Sequence, residues 1–196
     1  SVDVALVATW LQRPEVTAAV AHLVLDENPL TVGDYRDVDK DITGVVNLCD
    51  TLKTSSVTEL SLAKCRLGPG SLGKLAEYVR DAEAVVTSIN CLNNPLGEGV
   101  HTIINVFEQT PRLRTLCGLE EEVQQIDWSD SGKGPDDVAL LAAELKAGRA
   151  AAVVSRLILD ENPLTGGTRS TDFDKDITGI VNLCDTLKTS SVTELS

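Results

Sequence analysis

Two stretches of the chain read almost alike: "VAHLVLDENPLT" spans residues 20–31 and "VSRLILDENPLT" spans 154–165. The likeness continues downstream, where "DKDITGVVNLCDTLKTSSVTELS" at 39–61 returns at 174–196 with one change, Val45 against Ile180. Upstream, "DVALVATWL" at 3–11 matches "DVALLAAEL" at 137–145. Residues 3–61 are therefore duplicated as 137–196, and like text is expected to fold into like local structure twice.

Within the long duplication a shorter frame recurs, apolar-x-x-apolar-x-apolar-x-x-Asn/Cys-x-Leu. It fits "VAHLVLDENPL" from Val20, "VTELSLAKCRL" from Val57, "VTSINCLNNPL" from Val86 and "VSRLILDENPL" from Val154. "VTEL" at 192–195 opens another copy, and "VQQIDWSDSGK" from Val123 is a degraded one that keeps Val123, Ile126 and Trp128. In "HLVLD", Leu23 and Leu25 alternate with Val24, the period of a strand. Each frame is followed by helical spacing: Val45, Leu48, Cys49 and Leu52; Leu72, Leu75, Ala76 and Val79; Val100, Ile103, Ile104 and Phe107; Ile180, Leu183, Cys184 and Leu187. The first helix offers Val4, Val7, Ala8 and Leu11. Strand, turn and helix thus alternate along the chain, each burying its apolar face only against its neighbours.

This frame resembles that of the leucine-rich repeats, and its spacing is similar to the long repeats of the ribonuclease-inhibitor-like class. NOD-like receptor repeat tails and Ran GTPase-activating proteins share that class. The resemblance covers essentially the whole chain. It implies an α/β leucine-rich-repeat solenoid, a right-handed βα superhelix with a parallel inner sheet and outer helices, over a single domain of residues 1–196. It also implies that Asn28, Asn94 and Asn162, with Cys65 substituting, pair the backbone of neighbouring coils. The outward strand positions would line a concave, partner-binding face: His22, Val24, Asp26, Glu27, Glu59, Ser61, Lys64, Ser88, Asn90, Asn93, Asp127, Asp130, Arg156, Ile158, Asp160 and Glu161. Trp10 and Tyr78 hold matching places on their helices, away from the apolar stripe, and are candidates for a convex contact.

Three irregularities interrupt the pattern. Residue 1 falls just before a helix and residue 196 inside a strand, without the polar caps an array needs, so the chain is expected to be a segment of a longer array. Around 113–129, Leu113 and Val123 each begin a strand only ten residues apart, too few for a coil with a helix, so a discontinuity is expected there. Finally, where two residues separate Leu96 from Gly99, thirteen separate Leu30 from Gly44 and fourteen separate Leu164 from Gly179.

Both inserts are acidic. Asp37, Asp39 and Asp41, and again Asp172, Asp174 and Asp176, have the spacing that opens a calcium loop. The sixth position, which needs Gly, is Ile42 or Ile177, and the twelfth, which needs Glu, is Leu48 or Leu183. They are weak metal candidates, and acids before a helix are expected for capping alone. No metal and no cofactor is assigned.

Composition bounds the function. Aromatic residues are 3% and Met is absent, so the core must be aliphatic. A net charge of −13 excludes nucleic acid and anionic membranes as natural partners and suits a neutral or basic protein. The five cysteines are odd in number, lack metal or redox spacing, and no long apolar run is present. A reducing, cytoplasmic location is expected. Nucleotide, nucleophile-elbow and zinc-protease motifs are absent, and His22 and His101 fall far from any cysteine a His would activate. The reading is a non-catalytic protein-binding module. The alternatives are a structural subunit of a larger assembly and, by resemblance only, a GTPase activator of the Ran type.

Overall fold

The computed structural model describes residues 2–31, 38–81, 83–167 and 174–196. Asp37 and Asp172 lie outside the described residues. The chain divides between Arg114 and Thr115 into two compact bodies. The first carries α1 (Val2–Leu11), the single turn α2 (Pro14–Thr17), β1 (His22–Val24), α3 (Thr43–Leu52), β2 (Glu59–Ser61), α4 (Pro69–Arg80), β3 (Ser88–Asn90) and α5 (Gly99–Gln109). The second carries β4 (Gln125–Asp127), α6 (Pro135–Ala147), β5 (Arg156–Ile158), α7 (Thr178–Leu187) and β6 (Glu194–Leu195).

Among the described residues each body holds one parallel three-stranded sheet in chain order, β1-β2-β3 and β4-β5-β6, and neither closes on itself. The register sets Leu23 beside Leu60 and Leu60 beside Ile89. In the second body it sets Ile126 beside Leu157 and Leu157 beside Leu195. These central residues point toward the helices, and all but Leu195 are buried. Parallel strands need a crossover between them, and α3, α4, α6 and α7 supply it.

Local chemistry explains where the helices begin. α4 and α6 open on Gly-Pro, with Pro at the first helical position, where its missing N–H costs nothing. α4 then buries Leu72, Leu75, Ala76 and Val79, and α5 buries Val100, Ile103, Val106 and Phe107. Ile104, placed on the buried stripe by spacing, is only half-buried. Successive helices start in close contact. A Cβ on Gly99 would lie 2.8 Å from Pro69 Cα, and one on Gly179 would lie 2.6 Å from the Pro135 carbonyl oxygen. Only glycine fits at either place, and the two bodies use the same device.

Turns repeat as closely as helices do. The residue before the Asn/Cys position is left-handed in all five copies of the frame: Glu27 (φ 63°), Lys64 (56°), Asn93 (56°), Asp130 (47°) and Glu161 (59°). This conformation costs a non-glycine residue about 1 kcal/mol or more, and the hydrogen bonds that follow hold it. Asn94 Oδ1 accepts from the Cys65 and Leu67 N–H groups at 2.8 and 3.0 Å, and its Nδ2 donates to the Leu62, Cys91 and Leu92 carbonyls. Asn162 does the same in the second body, accepting from Ser131 and Lys133 and donating to Trp128, Leu159 and Asp160. Cys65 keeps part of the role by donating from Sγ to the Leu25 carbonyl at 3.1 Å.

Of the two strands that the sequence offers around 113–129, only the second forms, as β4. Residues 113–124 make no helix and nothing longer than isolated bridges at Thr115 and Cys117. Arg114 N–H still donates to the Thr87 carbonyl at 2.7 Å, extending the edge of β3. Leu113, Leu116 and Cys117 are buried without regular structure.

The asparagines are not equivalent. Asn28 is exposed and donates only to Leu25 and Asp26, two residues of its own turn. Asn94→Ala is expected to cost about 3 kcal/mol, because buried N–H groups lose their acceptor, and Asn28→Ala about 1 kcal/mol. Urea unfolding of the two variants checks this; equal losses would refute it.

Candidate functional site

The face of each sheet turned away from the helices is open. Pairing places His22, Glu59 and Ser88 in one row of the first body, and Val24, Ser61 and Asn90 in the other. Asp26, Glu27, Lys64 and Asn93 follow in the adjoining turns. None of these ten side chains is buried, and Val24 is 68% exposed. In the second body the rows are Gln125, Arg156 and Glu194, then Asp127 and Ile158, with Asp130, Asp160 and Glu161 in the turns. The expected positions thus share a face within each body. Gln125 and Glu194 belong to it as well. The frame omitted them, although Glu194 duplicates Glu59 and was legible on that ground.

Much of this surface pairs with itself. Asp26 Oδ1 accepts from Ser61 Oγ at 2.7 Å and from Ala63 N–H at 2.8 Å, tying two strands together. Lys64 Nζ lies 2.9 Å from Glu27 Oε1, His22 Nε2 lies 3.3 Å from Glu59 Oε1, and Arg156 Nε lies 3.4 Å from Glu194 Oε2. The Lys64 hydrogen bond holds the Glu27 carboxyl below its ordinary range. Ser129, bonded to Asp127 through Oγ at 2.7 Å and N–H at 3.0 Å, does the same to Asp127. Exposed pairs such as these contribute at most about 1 kcal/mol each, so a docking cation can exchange with them at little cost.

The acidic inserts cap helices. Asp39 accepts from Gly68 N–H at 3.1 Å, Ser71 N–H at 2.9 Å and Ser71 Oγ at 2.7 Å, so its carboxylate closes the N-terminus of α4 from the neighbouring module. Asp41 and Asp176 cap their own helices through the Thr43 and Thr178 N–H groups at 2.8 and 2.9 Å. Asp174 is exposed. Unpaired N–H groups and the helix dipole attract a carboxylate there without any cation. Among the described residues no three His, Cys, Asp or Glu side chains converge as a metal requires.

Two sequence expectations are corrected. Tyr78, a candidate convex contact, is fully buried, and its hydroxyl finds no hydrogen-bond partner; burial pushes the phenol's pKa up. α4 packs between α3 and α5, and a helix with neighbours on both sides buries a wider arc than one stripe. Trp10, on α1 with α3 on one side, is 43% exposed beside Leu6 at 64%. Cys184, expected on a buried helix face, is exposed, whereas Cys49, Cys65, Cys91 and Cys117 are buried. Burial pushes the Cys49 and Cys65 thiols up to about 12, which removes them as nucleophiles.

Glu144 is the group that sequence reading passed over. It duplicates Trp10, yet is 1% exposed within the otherwise apolar run 138–145 of α6. Its Oε1 accepts from Thr115 Oγ1 at 2.6 Å, Cys117 N–H at 2.8 Å and Leu116 N–H, while Oε2 has no partner. One buried carboxyl therefore bonds to each of residues 115–117, which form no continuous strand. Desolvation outweighs these bonds and raises its pKa above 4.5. Above that pH the unfolded chain has released the proton that the folded chain still holds, so stability falls as pH rises toward the folded value. Glu144→Gln is expected to remove this decline, seen as a flatter plot of urea midpoint against pH. Glu144→Ala should cost about 3 kcal/mol at acid pH, since three donors lose their acceptor, and less as pH rises. A pH slope unchanged in Glu144→Gln would contradict the assignment.

No protein-family model matches the chain, and no curated protein sequence matches it significantly.

Proposed function

We propose that the chain is a leucine-rich-repeat solenoid that works as a non-catalytic protein-binding module and receives a neutral or basic protein partner on its open strand faces. One observation carries the reading: in-register rows of exposed side chains lie on strands whose opposite side is locked by helices. Such a face is rigid before it binds, which lowers the entropy lost on association. Its chemistry is flat and mixed, with carboxylates at Glu27, Glu59, Asp127, Asp160 and Glu161 and an apolar contact at Val24. It offers positions for Lys and Arg side chains rather than a cleft for a small substrate. The acidic balance of the whole chain favours encounter with a basic surface.

A second reading, a structural subunit within a larger assembly, draws support from Leu6 and Trp10, exposed together on α1. No described helix is long and apolar enough to cross a membrane.

The face is tested by reversing its charge. Glu27→Lys with Glu59→Lys should weaken binding of proteins captured at about 0.1 M salt by tenfold or more, and raising salt to about 0.5 M should do the same to the parent chain. Lys74→Glu, half-buried on α4 and away from the strand faces, serves as the control and should leave binding unchanged. Loss through Trp10→Ala but not through Glu27→Lys would favour the structural-subunit reading. A panel of small GTPases should show unchanged GTP hydrolysis with the chain added; stimulation would replace both readings.

A further inference from the structure

α6 is buried almost all round. Every residue from Val138 to Leu145 is buried, and among the described elements α7 is its one helical neighbour. On the side where Glu144 lies, irregular chain covers the helix. Thr115, Leu116 and Cys117 are buried there without helix or continuous strand. Leu140 and Leu141 precede Glu144 by one helical turn, share its face and are fully buried.

The bonds that hold this cover converge on one atom. Glu144 Oε1 accepts from Thr115 Oγ1 at 2.6 Å, from Cys117 N–H at 2.8 Å and from Leu116 N–H. Thr115 Oγ1 in turn accepts from Cys117 N–H at 3.1 Å and Leu119 N–H at 3.0 Å. The turn at 115–119 is thus built around a hydroxyl that donates to the carboxyl. Glu144 Oε2 is buried with no partner. A neutral acid tolerates that place, because one oxygen takes the donors and the other carries the proton. A carboxylate does not, since its second oxygen would hold charge with neither water nor a donor. Other charged groups leave it uncompensated. α7 brings Asp185 and Lys188, 2.7 Å from each other, and Arg156 and Glu194 pair on the far face of the sheet. α6 and its flank bring Asp136, Asp137, Lys146 and Arg149, with Asp137 bound to Gly134 N–H at 2.9 Å. The covering chain brings half-buried Arg114, the Cys117 thiol and the exposed Glu120, Glu121 and Glu122. Among the described residues no cation bonds to Glu144.

We infer that residues 115–119 form a proton-latched cover over α6: it is shut while the Glu144 carboxyl is neutral, and loss of that proton opens it while the sheet and helices stay folded. Opening uncovers the Cys117 thiol, 4% exposed when shut, together with Leu140 and Leu141. Burial holds the shut carboxyl above 4.5, whereas in the open state water solvates it. Opening therefore grows by up to about tenfold per pH unit above that value, and levels off once the shut carboxyl itself ionises. Rising pH exposes a thiol and an apolar patch together, and falling pH hides both. The latch does not depend on the open strand faces, and either can fail alone.

Alkylation by iodoacetamide, read by mass spectrometry between about pH 5 and 8, tests the latch. Cys184 is exposed and carries the reagent's own dependence on pH, so the ratio of Cys117 to Cys184 labelling isolates opening. The ratio should rise by roughly tenfold or more across that range in the parent chain. It should stay flat in Glu144→Gln, which keeps an acceptor for the three donors and never ionises. Helical circular dichroism should hold constant meanwhile, and the buried Cys49 should stay unlabelled. Thr115→Val removes the hydroxyl that joins carboxyl to turn, and should raise the ratio by about tenfold at the acid end. A flat ratio in the parent chain overturns the inference, as does an equal rise in Glu144→Gln or no change in Thr115→Val. A rise that comes with loss of helical signal or with labelling of Cys49 is unfolding of the chain rather than opening of a cover, and overturns it too.

Discussion

The carboxamide of Asn94 bonds five backbone groups in two successive turns, and the architecture of the first body depends on this kind of bond. A three-residue strand followed by a tight turn leaves more peptide groups unpaired than it can satisfy by itself. A side chain with a donor at one end and an acceptor at the other closes that gap within the turn and across to the next module at once. The exchange also holds Asn93 left-handed and fixes how far apart neighbouring strands lie. Asn162 repeats it in the second body. Once the turns are locked in register, the central strand residues fall into one row and the open rows on either side follow.

The same constraint makes each module depend on its neighbours, and the duplicated text shows how far. Cys49 and Cys184 have identical neighbours in sequence, yet one is buried with its thiol pushed up to about 12 and the other is exposed. Trp10 and Glu144 occupy matching places on matching helices, one 43% exposed and the other 1%. Burial here belongs to the pair of modules, not to the residue. This also explains how a carboxylic acid came to sit in the apolar stretch of α6. Glu144, on α6, accepts from the Thr115 hydroxyl and the Cys117 N–H of a segment that forms no continuous strand.

Charge is distributed by the same logic. Asp39, Asp41 and Asp176 are consumed by helix N-termini, and Asp26 by a neighbouring strand. Glu27 and Glu59 answer Lys64 and His22 across the open face. The open faces keep an excess of carboxylates over cations, as the whole chain does, so cations are attracted at long range. Proposed recognition through this face would replace weak internal pairs with intermolecular ones, which favours specificity and rate of encounter over raw affinity.

Periodicity alone determined the strands at Leu23, Leu60, Ile89, Ile126 and Leu157, the helices between them, and the rows of outward side chains. Each of these depends on a period of two or 3.6 that local backbone geometry enforces. It could not decide between the strands offered at Leu113 and Val123, because two short apolar runs look alike until one finds a partner. Tyr78, Cys184 and Glu144 were likewise beyond it, since their environments are made by helices distant in sequence. A residue's alternation says which way its side chain points; only the packing of one module on the next decides whether anything is there to meet it.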